Sequence, residues 1–231
     1  MLSKDEAKLI VARLEEQYPE AVCALEYAGE PWKLLIMGRL SAQCTDKRVN
    51  EVCKDLFSRY PTPESLAAAE LAELEEIVCP CGLYRVKAKN IRDECAMLVG
   101  EFGGRLPDTM DELLRLPGVG RKIANLLLGD VYGKPAIVAD THCIRICGRL
   151  GFYSESLKDP DKVERILAAI IEPEKQSDFC HRLVMFGRDV CSARAPKCES
   201  CPLKPVCRHN QAVQAITYVR SCSLLLGAGP F

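Results

Sequence analysis

No stretch of the 231-residue chain approaches the roughly 20 consecutive apolar residues that a bilayer span needs, so a transmembrane helix is excluded. An excess of basic charge is missing too. The 31 Lys and Arg are balanced by 32 Asp and Glu, a formal net charge of -1 that by itself argues against a nucleic-acid binder. The start, Met1-Leu2-Ser3-Lys4-Asp5-Glu6, has no basic patch leading into an apolar run, so no signal peptide is expected and a reducing cytoplasm is the expected compartment. Extended patterns are nearly absent: only Ala136-Ile137-Val138 looks like strand, too short to imply a sheet. With 48% hydrophobic and 27% charged residues, the chain can build one large domain or two small ones.

Charge is uneven along the chain. Residues 1 to 30 are acidic, and Glu64, Glu70, Glu73, Glu75 and Glu76 form an acidic run. Residues 113 to 150 reverse the balance, with six basic residues, among them Arg121 and Lys122, against Asp130 and Asp140. Residues 181 to 208 repeat that reversal around Arg194 and Lys197. Two basic segments in an otherwise acidic chain can converge on one polyanion-binding face, or can be solvated helix faces.

Helical periodicity and punctuation run through the rest, and the expected fold class is all-α. Ser3 with Glu6 is a capping box, as is Thr109 with Glu112. Trp32 to Leu40 forms an apolar helix, and Thr45 or Asp46 caps the next. Thr62-Pro63 and Asp159-Pro160 place a cap before a proline, and Gly103-Gly104 ends a helix that begins at Tyr84.

Of the 14 cysteines, four stand in the compact run C-x6-C-x2-C-x5-C: Cys191, Cys198, Cys201 and Cys207. Four thiolates at this spacing suit an iron-sulfur cluster or a structural zinc. Leu116-Pro117-Gly118-Val119-Gly120-Arg121-Lys122 lies between two helical patterns, its glycines suiting a helix-hairpin-helix turn. With the second helix starting near Arg121, its open amides and positive dipole end suit a phosphate. Asp140-Thr141-His142 opens the helix that ends at Gly151. An isolated Asp here reads as an N-cap, Lys122 alone as a surface lysine, and His142 as a helix residue with a satisfied ring.

Together with Leu40-Ser-Ala-Gln-Cys-Thr-Asp46 and Gly82-Leu-Tyr84, the hairpin, the Val138-to-His142 segment and the cysteine run resemble the endonuclease III family, in family order over roughly residues 5 to 208. The resemblance implies a two-lobed helix-hairpin-helix DNA glycosylase fold with a C-terminal 4Fe-4S cluster loop. One lobe would span 25–133, and the other 1–24 plus 134–210 around the cluster, with the DNA groove and active site between them. It implies a bifunctional glycosylase and abasic-site lyase acting on oxidised pyrimidines, with Lys122 as nucleophile and Asp140 assisting. The resemblance resolves the four cysteines toward iron-sulfur, with Arg194 and Lys197 offering cations to the DNA backbone from the loop they shape.

In the same terms Gln43 and Leu83 fill the gap left by the extruded base, Leu83 being flanked by Arg85, Lys87 and Lys89. Gly118, Val119, Gly120 and Arg121 would contact DNA through the hairpin. A helix N-terminus, nearby arginines and partial burial would help Lys122 lose its proton. The implied partner is double-stranded DNA with a damaged base or abasic site; a monomer is expected, cytoplasmic and nucleoid-associated, of bacterial type. Two other readings share features: an adenine mismatch glycosylase, which lacks the lysine, and a non-enzymatic iron-sulfur DNA-binding protein. Cys79-Pro80-Cys81, read as packing residues, and the tail over 211–231, disordered or docked, belong to no motif.

Overall fold

A computed structural model describes residues 2–212; the expectation for the tail beyond them lies outside the described residues. Among the described residues eleven α-helices follow one another: α1 (Lys4–Gln17), α2 (Pro31–Leu40), α3 (Asp46–Arg59), α4 (Pro63–Ala67), α5 (Leu71–Val78), α6 (Tyr84–Phe102), α7 (Met110–Leu113), α8 (Arg121–Asp130), α9 (Thr141–Leu150), α10 (Pro160–Ile170) and α11 (Gln176–Asp189). No strand occurs among the described residues, Ala136 to Val138 included. The all-α expectation holds.

Local chemistry sets the helix ends. Ser3 and Glu6 close a reciprocal capping box on α1, and Thr62 does so with Ser65 on α4 behind a proline at the first helical position. Thr45, rather than Asp46, caps α3. Thr109 makes only half the expected box: its hydroxyl accepts the Glu112 amide, but the Glu112 carboxylate takes the hydroxyl proton instead of returning to the backbone. Gly103 ends α6 in the left-handed conformation that a C-cap requires.

The chain divides into two compact units, Val22–Val138 and Met1–Ala21 with the chain from Ala139 on. In the first, Leu34, Leu35, Ile36 and Leu40 of α2 share a buried core with Val49, Leu56, Ile91, Leu98 and Leu127. The helices α4 and α5 pack on α6, and α2 packs on α8. At Gly38 the missing side chain leaves room for Ile123 and Leu126, so α2 supports α8 at close range.

In the second unit α11 packs on α1 and α9. Phe152 meets Phe179 edge to face, and Tyr18 meets Phe186 in the same way. The buried guanidinium of Arg182 reaches the Tyr18 carbonyl and the carboxylates of Glu15 and Asp178.

Candidate active site and cysteine loop

The first unit carries the hairpin. Gly118 takes a φ of +74°, a conformation open to glycine at little strain. Val119 donates its amide to the Leu116 carbonyl at 3.0 Å and buries its side chain in the core, whereas Gly118 and Gly120 are exposed. Of the proposed hairpin contacts, Val119 is therefore the pin that holds the turn. Gly120 is the N-cap of α8 and provides no side-chain acceptor, so the first-turn amides remain open to an anion.

Arg121 is half-buried and Lys122 exposed on that same turn. The partial burial expected of Lys122 is not found, because α8 turns Ala124, Asn125, Leu127 and Leu128 inward instead. No hydrogen bond or ion pair among the described residues engages its amine.

Beneath the hairpin lies a buried arginine–glutamate pair that sequence reasoning missed. Arg39 Nε donates to Glu94 Oε1 at 3.1 Å, with Glu94 fully buried. Burial pushes the Glu94 carboxyl up to about 8, against the opposing pull of Arg39. Arg39 Nη2 and Glu94 Oε2 have no hydrogen-bond partner.

The two gap-filling candidates share a backbone signature. Gln43 (φ 55°) and Leu83 (φ 50°) are two of three non-glycine residues with positive φ among the described residues. Both are exposed, Leu83 by 58%. Of the basic residues expected around Leu83, Arg85 is exposed, Lys89 pairs with Asp93 at 2.6 Å, and Lys87 is not a surface cation at all. It is buried, with its ammonium on three backbone carbonyls. The Cys79-Pro80-Cys81 turn is split: Cys81 packs as expected, and Cys79 lies on the surface.

In the second unit Asp140 performs the plain structural task for its position. Its Oδ1 accepts the Cys143 amide at 2.7 Å as the N-cap of α9. His142 has a satisfied ring, as expected, with Nδ1 3.3 Å from Arg145 Nη2.

At the far end of α9, Arg149 donates to the carbonyls of Ser192 and Ala193 and lies 3.5 Å from Cys191 Sγ. The α9 arginines thus fasten the first leg of the cysteine loop. Arg194 and Lys197 are exposed on that loop, Lys197 4.0 Å from Asp189.

Cys191, Cys198, Cys201 and Cys207 are all half-buried and line one pocket with Leu150, Phe186 and Val190. Burial pushes the Cys201 and Cys207 thiols up, while the backbone amides of Leu203, and of His209 and Asn210, favour the respective thiolates. As placed, no group of three or more His, Cys, Asp or Glu among the described residues could hold a single metal ion. The donor set fits a cluster better than one ion: four half-buried thiols around a shared space match a cofactor whose thiolates are spread over several irons. A lone zinc would need the sulfurs about 2.3 Å from a common point.

This fold and hairpin define a class. The HhH-GPD superfamily of base excision DNA repair proteins matches residues 36–173, well over half of the chain. Endonuclease III of Bacillus subtilis is 40% identical over 213 residues, 91% of this chain and 95% of that one. Endonuclease III of Synechocystis is 42% identical over 210 residues, covering 90% and 94%.

Among solved structures, a non-covalent endonuclease III-DNA complex superimposes with a TM-score of 0.88 at 43% identity, covering 93% of this chain and all of that one. A thermostable thymine-DNA glycosylase shares the fold alone, at 21% identity and a TM-score of 0.82. The chain belongs to the endonuclease III family, DNA glycosylases with abasic-site lyase activity in base excision repair. No helix among the described residues is long and apolar enough to cross a membrane.

Proposed function

We propose that this protein removes oxidised pyrimidines from double-stranded DNA and then cuts the strand 3′ to the abasic site by β-elimination, with Lys122 as the nucleophile. The observation that carries the reading is an unengaged, exposed lysine amine on the first turn of α8, directly after a glycine hairpin whose amides are uncapped. Hairpin amides and Arg121 would hold a backbone phosphate, which brings Lys122 to the neighbouring sugar. The free amine attacks C1′, the C1′–N bond breaks and the base departs with its electron pair. The C1′–O4′ bond then breaks, O4′ takes a proton to become a hydroxyl on C4′, and C1′ is left in a Schiff base with Nζ. Removal of a C2′ proton expels the 3′ phosphate.

Asp140 is proposed to accept the proton from the attacking amine and to steady positive charge on the sugar as the base leaves. Its N-cap contact supports that role by fixing the carboxylate at the head of α9 with Oδ1 committed, so Oδ2 is the oxygen assigned to chemistry. Gln43 and Leu83 are proposed to occupy the space vacated by the extruded nucleotide, which their exposure and outward turns support. Arg194 and Lys197, exposed on the cysteine loop, are proposed backbone contacts.

Cys191, Cys198, Cys201 and Cys207 are proposed to hold a 4Fe-4S cluster. Its contribution there is structural, fixing the loop that presents those cations. A cytoplasmic, nucleoid-associated location is proposed with it, as the place where such a DNA substrate would be met.

An adenine mismatch glycosylase would lack a lysine at position 122, and a purely DNA-binding protein would form no adduct. Borohydride trapping on a duplex with one abasic site tests the reading. A covalent adduct in the wild type, lost in Lys122→Ala, is expected; no adduct in the wild type would sink it.

A further inference from the structure

The loop after α2 and the turn before α6 are far apart in sequence, yet both end on one nitrogen. Lys87 Nζ lies 2.9 Å from the Leu40 carbonyl, 2.7 Å from that of Ala42 and 2.9 Å from that of Cys81. An ammonium has three donors, and all three are used. Leu40 and Ala42 lead into Gln43, and Cys81 leads through Gly82 into Leu83. The two loops meet a second time at Cys81, whose thiol is pushed up by burial and by the neighbouring Cys44.

Left-handed backbone at a residue with a side chain persists only where the surroundings over-determine it. Gln43 and Leu83 both adopt it, and among the described residues Lys87 is the side chain that hydrogen-bonds to the backbone of both their loops. With the residue only 3% exposed and its ammonium held by three carbonyls, this lysine has no route to a phosphate. Its positive charge therefore acts on protein carbonyls, not on DNA.

We propose that Lys87 is a positioning residue for base extrusion: its ammonium sets the left-handed turns at Gln43 and Leu83, so that the two side chains enter the duplex as one probe. The proposal rests on the reading of those two residues given above. Its consequence is selective. A misplaced probe slows reaction where a base pair must be opened, and leaves the sugar chemistry of Lys122 intact.

The test is single-turnover base release, normalised to the fraction of enzyme trapped by borohydride on single-stranded abasic DNA, which corrects for misfolded protein. Two duplexes are compared, one with an oxidised pyrimidine opposite a normal base and one with the same lesion opposite an abasic analogue, where no partner holds it in the stack.

Lys87→Met should slow release from the paired duplex about tenfold, with the unpaired one within about twofold of wild type. Lys87→Gln, which keeps two donors on a shorter stem, should fall between and serves if the Met variant is too unstable. Adding Leu83→Ala to Lys87→Met should cost little more. Equal losses on both duplexes, or none, would overturn the proposal. Gln43→Ala and Leu83→Ala separate the two ideas: if they spare the paired duplex, the probe reading itself fails and takes this proposal with it. If they slow it and Lys87→Met does not, only the role of Lys87 fails.

Discussion

Gly118 sits directly against the guanidinium of Arg39: a Cβ at this glycine would meet Arg39 Nη2 closer than any real side chain approaches, and Asn90 Nδ2 at 2.7 Å. Arginine tips usually yield, but this one is anchored through Nε on Glu94. Gly118→Ala therefore meets two penalties, the clash and a left-handed backbone worth about 1 to 2 kcal/mol. The variant should melt several degrees lower and bind an abasic-analogue duplex more weakly by fluorescence anisotropy. Adding Arg39→Met should recover only the Arg39 part of the clash, judged against Arg39→Met alone because that change also removes the partner of Glu94. Full recovery in the double variant would show that φ imposes no strain there.

Glu94 gives stability an unusual pH dependence. Its folded value, raised to about 8 by burial, lies well above that of an unfolded glutamate near 4.3, so between these the folded state holds a proton that the unfolded chain has released. Stability from this group is thus fullest below about pH 4 and declines as pH rises toward 8, by about 1.4 kcal/mol per unit in mid-window. Glu94→Gln, isosteric and always neutral, should flatten the loss in denaturant midpoint between pH 5 and 8. Parallel wild-type and variant curves would refute this.

The sequence was most legible where structure is local. Ser3 with Glu6, Thr62-Pro63, Gly103 and Asp140 each set a helix end through groups within a few residues, and each does so in the fold. The hairpin was visible for the same reason. Lys87 and Glu94 were not, because what decides them is the arrival of Leu40, Ala42 and Arg39 from another helix and its loop.

A signal did exist. Both lie three or four residues from Ile91 and share the inward stripe of Ala88, Cys95 and Leu98, so a charge on the apolar register of α6 was there to be noticed. The exposure of Lys122 and the burial of Val119 likewise depend on how α8 and its turn dock, which spacing does not specify.

Removing one cysteine tests the cluster assignment without any assay of activity. Cys198→Ala leaves three thiolates where four irons need four protein ligands, so the purified variant should contain less iron and lose its visible absorbance. Lys197 and Arg194 lie on the same loop, so duplex binding should become weaker and less salt-sensitive. Unchanged iron, absorbance and melting would defeat the assignment.

Asp140 carries two roles that one pair of substitutions separates. As an N-cap it accepts the Cys143 amide through Oδ1, and asparagine caps helices as well as aspartate does. Asp140→Asn should therefore keep the wild-type melting temperature, while Asp140→Ala loses about 1 kcal/mol. Chemistry divides differently, because an amide takes up no proton and stabilises a cationic sugar poorly. Both variants should release base at least about a hundredfold more slowly under single-turnover conditions, with lesion binding retained. If Asp140→Asn keeps both its stability and its rate, the carboxylate is a cap and nothing more, and proton uptake must be assigned to another group.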